Sequence, residues 1–172
     1  MRTITIFGVT GRMQHLLVRE ALDQGFKVVG YARNPSKMRI QHPDLILKRG
    51  TLDDPAAIED AIKGSDAVIE TVGAVSQGTE NIVQAMTRLH IKRLIVVSTA
   101  NVKDKNDLPD RKFSILLSII RIMLKVIGLF KPQVYNTVEE VCKAAEIVRN
   151  ADLDWTLVRV AGLTNKAKSN KV

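Results

Sequence analysis

The chain is poor in cysteine and aromatic residues, and it carries no long basic run. Its single cysteine, Cys142, cannot form an internal disulfide, and the chain starts directly with a strand-like run rather than a signal peptide, so we expect a cytoplasmic protein. Aromatic residues make up only 4% of the sequence and are not interleaved with its basic residues. A stacking surface is therefore missing, and we expect no nucleic-acid partner. The three histidines are widely spaced, which predicts no metal site.

Short β-branched runs alternate with segments of helical period, which is the pattern of βαβ units. The 172 residues are expected to form one domain, residues 1–172, with an α/β fold: a Rossmann-like three-layer sandwich around a parallel, doubly wound sheet. The predicted strands are Thr3–Phe7, Lys27–Ala32, Leu45–Lys48, Asp66–Gly73, Arg93–Thr99 and Asp154–Val160. The predicted helices are Met13–Gln24, a helix that starts at Pro55 after a cap at Asp53 or Asp54, Thr79–Leu89 and Val134–Asn150.

The segment Phe113–Phe130 is unusual because its few polar residues and a glycine share one helical stripe. Two charges near its middle, Arg121 and Lys125, argue against a transmembrane span, and we expect no membrane association. The segment is instead predicted to be a helix between the sheet and either a partner subunit or a substrate pocket. Its wide apolar face favours a homodimer.

The stretch "TITIFGVTGRMQ" places Gly8 and Gly11 between a strand and a helix, as a nucleotide-binding turn requires. Such glycines allow a sharp turn and let backbone N–H groups approach a pyrophosphate. The third glycine of the motif is replaced by Gln14, which we expect to tilt or displace the helix without abolishing the anion site. The alternative is a structural turn that keeps its glycines only for packing.

The end of the second strand distinguishes NAD from NADP, because an acid there binds the ribose hydroxyls of NAD. In "GYARNPSKM" no acid is present and Arg33 takes that place. A guanidinium matches phosphate oxygens, which predicts NADP(H) in preference to NAD(H). Arg12 could add a second positive charge. For either arginine the alternative is a solvated surface residue.

The stretch "IFGVTGRMQHLLVREALDQGFKVVGYARNPSKM" is followed along the chain by "RGTLDDP", "SDAVIETVGA", "IKRLIVVSTANV" and "LDWTLVRVAGLTN". This combination resembles the NAD(P)H-binding, NmrA-like group of atypical short-chain dehydrogenases/reductases, which includes flavin and biliverdin reductases. The resemblance implies a Rossmann-like domain that binds NADP(H). The contacts it implies are Gly8, Thr10, Gly11, Arg12 and Met13 at the phosphates, Arg33 at the 2′-phosphate, Thr51 and Leu52 at the adenine, Val72, Gly73 and Ala74 at the nicotinamide-side ribose, and Ser98 and Thr99 near the nicotinamide.

The sequence departs from this family pattern at three positions. Gln14 replaces a glycine, Thr51 stands where an acid is usual, and Val160 stands where proline is usual. The chain also ends near the point where relatives continue with a further strand and helix. We therefore expect the C-terminal segment to be truncated or its tail to be absent from the structure.

Ordinary short-chain dehydrogenases use a tyrosine acid and a lysine four residues later. Here Tyr135 is followed at that spacing by Glu139, which disfavours an ionised tyrosine, so the usual pair is absent. Hydride transfer to a conjugated acceptor depends mainly on orientation, and solvent can supply the proton.

The sequence therefore predicts an NADP(H)-dependent oxidoreductase of the flavin-reductase-like type. Its acceptor would be small and flat, such as a flavin or a quinone, and Ser98 would be an orienting catalytic residue. The alternative for Ser98 is a strand-end hydroxyl that satisfies the backbone. The alternative for the whole protein is an NADP(H)-binding sensor or regulatory protein without turnover.

Overall fold

A parallel sheet forms the centre of the protein. The computed structural model describes residues 2–11, 14–72, 75–99 and 132–160, without the side chains of residues 99, 132–136 and 138. The strands in this part of the chain are β1 Thr3–Phe7, β2 Lys27–Ala32, β3 Leu45–Arg49, β4 Ala67–Glu70, β5 Arg93–Thr99 and β6 Asp154–Val160. Their order is β3-β2-β1-β4-β5-β6, and every neighbouring pair is parallel. This order confirms the predicted doubly wound α/β fold.

Helices cover both faces of the sheet. They are α1 Gln14–Asp23, α2 Pro55–Ile62, α3 Ser76–Arg88 and α4 Pro132–Asn150, with a short 3-10 turn at Pro35–Lys37. Alternate residues of β1 point to opposite faces, so Ile4 and Ile6 pack with α1, whereas Phe7 packs in the larger core with α2, α3 and α4. The strands thus lie between two apolar layers, as the predicted three-layer sandwich requires.

The start of α2 follows the prediction closely. Asp54 is its N-cap and accepts a hydrogen bond from the Ala57 N–H at 3.0 Å, and Pro55 takes the first helical position. Trp155, at the start of β6, packs against the larger core, and Cys142 packs beside Val141 on α4.

Three predicted boundaries are corrected. β4 ends at Glu70 rather than Gly73, and just beyond this end both the N–H and the hydroxyl of Thr71 donate to the Phe7 carbonyl. α3 begins at Ser76 rather than Thr79, since Ser76 is bound by a side chain from α4. α4 begins at Pro132, two residues before the predicted start, in a first turn where proline is tolerated.

The predicted helix Phe113–Phe130 and the C-terminal tail lie outside the described residues, and the homodimer therefore stays a prediction. No helix in the described part of the chain is long and apolar enough to cross a membrane.

Candidate nucleotide-binding site

The described residues of the predicted site meet at the carboxyl edge of the sheet. They are Gly8, Thr10 and Gly11 after β1, Arg33 after β2, Thr51 and Leu52 after β3, Val72 after β4, and Ser98 near the end of β5. The strand order reverses between β1 and β4, and ligands of open parallel sheets bind outside the carboxyl ends at such a reversal. Arg12, Met13, Gly73, Ala74 and the side chain of Thr99 lie outside the described residues.

The turn after β1 is packed directly against the segment after β4. Gly8 has φ +86°, and its N–H donates to the Tyr31 carbonyl at 2.9 Å. A Cβ at Gly8 would lie 2.8 Å from both Thr71 Oγ1 and Val72 Cγ2. Only glycine therefore suits this position, on grounds of conformation and of space. The absent side chain lets the turn after β1 pack directly against the side chains of Thr71 and Val72.

The replaced glycine has a visible consequence at the same turn. The side-chain amide of Gln14, the first residue of α1, lies against Gly11 in the space that a Cβ at Gly11 would occupy. α1 itself is held in the core by Val18, Ala21 and Leu22. The predicted tilt of this helix stays a prediction, whereas the contact of the Gln14 side chain with the turn is a structural finding.

Two arginines lie together at the carboxyl ends of β2 and β3. A cleft of about 560 Å³ is lined by Arg33, Asn34, Pro35, Ser36 and Arg49. Arg49 ends β3 directly opposite Ala32, which brings it next to Arg33 in the sheet, and both arginines are exposed. The Ser36 hydroxyl donates to Asn34 Oδ1 at 2.6 Å. A cleft with two guanidinium groups and neutral polar side chains suits a phosphate group.

Sequence reasoning missed Arg49. The signal was the basic pair in "LKRG", at the end of the strand next to Arg33. It becomes informative only when β2 and β3 are known to be neighbours.

The segment after β3 is fixed by side chains from the core. The Tyr31 hydroxyl donates to the Thr51 carbonyl at 2.8 Å, and Asn81 Nδ2 donates to the Leu52 carbonyl at 2.8 Å. A Cβ at Gly78 would lie 2.7 Å from Leu52 Cβ, so α3 and Leu52 are in close contact. Burial, with a smaller effect of the Asp54 carboxylate, raises the pKa of Tyr31 and keeps its hydroxyl a donor. The position predicted to border an adenine is therefore rigidly held.

Two buried polar side chains lie near the carboxyl ends of β4 and β5. Ser98 is 5% exposed, and its hydroxyl has no hydrogen-bond partner within the described parts of the chain. Glu70 is fully buried and accepts a hydrogen bond from the Thr79 hydroxyl at 2.8 Å. Glu70 pairs in register with Val96, so Ser98 follows two residues further along the same face of the sheet. Sequence reasoning missed Glu70, although an acid within the apolar run "DAVIET" was a signal.

The start of α3 receives its cap from another helix. Both the N–H and the hydroxyl of Ser76 donate to Glu140 Oε2 on α4, at 3.0 and 2.6 Å. These two hydrogen bonds lower the pKa of Glu140. α4 thereby fixes the helix that follows the predicted ribose loop. Glu139, which replaces the usual lysine, pairs with Lys143 at 3.2 Å, and the side chain of Tyr135 lies outside the description.

Residues 8–172 match the family model described as NAD(P)H-binding, so the chain belongs to this family of NAD(P)H-binding domains. This match confirms the resemblance to NAD(P)H-binding reductases, and the domain has the oxidoreductase type of NAD(P)-binding fold.

Two curated proteins and one solved structure illustrate the similarity. Oxidoreductase stcQ of Emericella nidulans is 25% identical over an aligned length of 205 residues. The match covers 100% of this chain and 69% of that protein. Cinnamoyl-CoA reductase 1 of Arabidopsis thaliana is 26% identical over 117 residues, and the match covers 57% of this chain and only 34% of that enzyme. A wide-type short-chain dehydrogenase/reductase from Veillonella parvula, in complex with NADP, has a TM-score of 0.77 at 21% identity, covering 99% of this chain and 74% of that chain. The last similarity shows the fold alone.

We predict that Gly8→Ala destabilises the protein more than Gly25→Ala. Gly25 has nearly the same φ, +81°, but nothing lies within 4 Å of its Cβ position, so alanine there costs about 1 kcal/mol of backbone strain. Alanine at Gly8 adds the contacts with Thr71 and Val72, worth about 1–3 kcal/mol more. Urea denaturation of both variants measures the difference, and equal losses would contradict the close packing of this turn.

We also predict an acid-dependent contribution from Glu140. Its folded pKa lies below the unfolded value, so the stabilisation is present above the unfolded pKa and is lost as the pH falls through the folded pKa. Glu140→Gln should therefore lower the free energy of unfolding at pH 7, and this loss should shrink as the pH falls below about 4. Glu139→Gln, on the neighbouring exposed side chain, is the control. A loss independent of pH would show that the charge of Glu140 is not responsible.

Proposed function

We propose that this protein is an NADP(H)-dependent oxidoreductase of the NmrA-like, flavin-reductase-like type, which transfers a hydride to a small flat acceptor such as a flavin or a quinone. The observation that carries the proposal is the pair of exposed arginines, Arg33 and Arg49, in the cleft at the ends of β2 and β3. None of the described residues that line this cleft is acidic. The NADP bound to the Veillonella parvula relative and the oxidoreductase names of the curated relatives support the same class.

The residues present fit a nicotinamide nucleotide at several points. The turn after β1, with Gly8 and Gly11, lies where the strand order reverses, which suits a pyrophosphate. Arg33 and Arg49 would hold the 2′-phosphate, with Leu52 at the adenine. At the other end, the buried hydroxyl of Ser98 has no hydrogen-bond partner among the described residues. It is therefore suited to bind the nicotinamide carboxamide.

The nicotinamide nucleotide, when bound, supplies the hydride. The chain contributes binding and orientation: Ser98 would orient the reacting ring, and the anchored segments after β3 and β4 would hold the nucleotide still. No lysine follows Tyr135 at the usual spacing, so we assign no tyrosine–lysine acid. Solvent would deliver the proton that a reduced flavin or quinone requires.

A second function is favoured by a specific observation. The Gln14 amide lies over the glycine turn, and with the absent tyrosine–lysine pair it suits a protein that binds NADP(H) weakly and responds to its concentration without turnover. The sensor and the reductase share the nucleotide site, and they differ in whether an acceptor is reduced.

Removing either arginine should weaken binding of NADPH but hardly affect NADH. We expect Arg33→Ala and Arg49→Ala each to raise the Kd for NADPH about tenfold, because each loses charge-assisted hydrogen bonds to the 2′-phosphate. Arg39→Ala, at an exposed arginine that does not line the cleft, is the control. Calorimetric titration measures the affinity of the wild type and of the three variants for each nucleotide. If the affinities for NADPH and NADH fell equally, the two arginines would not be the residues that bind the 2′-phosphate.

Turnover should depend on Ser98. We expect steady NADPH oxidation with free flavin or a quinone, and Ser98→Ala should lower kcat about fivefold while the Kd for NADPH changes little, as for the loss of one orienting hydrogen bond. Ser65→Ala is the control, because this buried serine lies before β4, at the amino-terminal ends of the strands and away from the site. Absorbance at the NADPH band follows the reaction. Tight binding without oxidation of NADPH by any acceptor would favour the sensor.

A further inference from the structure

We propose that the Gln14 side chain is a gate on the glycine turn: it occupies the position of closest approach for a pyrophosphate and must move aside before a nicotinamide nucleotide binds. This inference rests on the proposed nucleotide site and adds the regulation of its affinity. A glycine at the Gln14 position would leave the turn open.

The geometry of Gly11 carries the first step. The second glycine of such a turn lacks a side chain so that its backbone can approach the pyrophosphate. A Cβ at Gly11 would lie 2.7 Å from Gln14 Cδ and 3.2 Å from Gln14 Nε2, with Oε1 still closer. The glutamine amide therefore fills the space that the glycine leaves free. A phosphate group and this amide cannot both occupy it.

The second step concerns what can move. α1 is anchored by Val18, Ala21 and Leu22, which are all buried in the core between α1 and the sheet. Gln14 begins the helix and is only partly buried, and its side chain has three rotatable bonds. The amide can therefore leave the turn by a change of rotamer, without a shift of the helix. The gate would lower the affinity for the nucleotide while the fold stays the same.

The third step separates the two ends of the nucleotide. The arginine cleft is lined by residues 33–36 and Arg49, and Gln14 is not among them. A ligand that carries the 2′-phosphate but no pyrophosphate would therefore bind without meeting the gate. Adenosine 2′-monophosphate is such a ligand, and it reports on the arginine cleft alone.

The test is calorimetric titration of the whole chain with NADPH and with adenosine 2′-monophosphate. The variants are Gln14→Ala and Gln14→Gly, and the control is Gln24→Ala, a second glutamine close to the far end of α1. Alanine suits a helix start, so Gln14→Ala keeps the test valid if the glycine variant folds poorly. We expect Gln14→Ala to tighten NADPH binding about fivefold, since an ordered side chain no longer has to be displaced, with no change for adenosine 2′-monophosphate.

Each other outcome has a definite meaning. Weaker NADPH binding by Gln14→Ala would make Gln14 a ligand of the phosphates and overturn the gate. Unchanged NADPH binding would overturn the gate and leave the proposed function standing, because the wild type binds. NADPH binding by the variants alone would support the gate most directly. Absence of binding for every ligand and variant would overturn the gate and the proposed function together.

Discussion

The carboxyl edge of this sheet depends on the contact between the turn after β1 and the segment after β4. Gly8 makes that contact possible, because its Cβ position is already occupied by Thr71 and Val72. Thr71 then locks the arrangement by donating twice to the Phe7 carbonyl. The Cβ direction of Gly8 therefore points into the packed side chains of the segment after β4, and the two segments form one fixed unit at the strand reversal. Ligands of open parallel sheets bind outside the carboxyl ends at such a reversal.

The other segments around the site are held by polar groups that reach out from the core. Tyr31 and Asn81 bind the carbonyls of Thr51 and Leu52, and Glu140 caps α3 at Ser76. The partners lie 20, 29 and 64 residues apart in sequence. Each of these bonds satisfies a backbone group that would otherwise face the solvent in a loop. The site is therefore shaped by the packed layers beneath it, and its loops need little regular structure of their own.

The sequence predicted the fold well because local signals agreed with the tertiary structure. The β-branched runs became strands, and Asp54 with Pro55 began a helix as a cap and a proline should. Arg49, Glu70 and Glu140 were not predicted as parts of the site, since their roles depend on which strands and helices are neighbours. The predicted extent of β4 was wrong, and so was the start of α3, where Glu140, which binds Ser76, is distant in sequence. The contacts assigned to the cofactor stay predictions.

The two ends of the proposed site differ in electrostatic character. The end beside β2 and β3 presents the exposed charges of Arg33 and Arg49, whereas the end at β4 and β5 presents the buried groups of Glu70 and Ser98. Exposed guanidinium groups contribute affinity and attract an anion over a distance, and in the proposed binding mode they would lie at the adenosine end, away from any reacting atom. Buried groups cost desolvation, and they contribute orientation only when a partner fits them. If the proposed function holds, affinity and chemistry are carried by separate parts of the site, and a nucleotide sensor would differ from a reductase by changes confined to the second end.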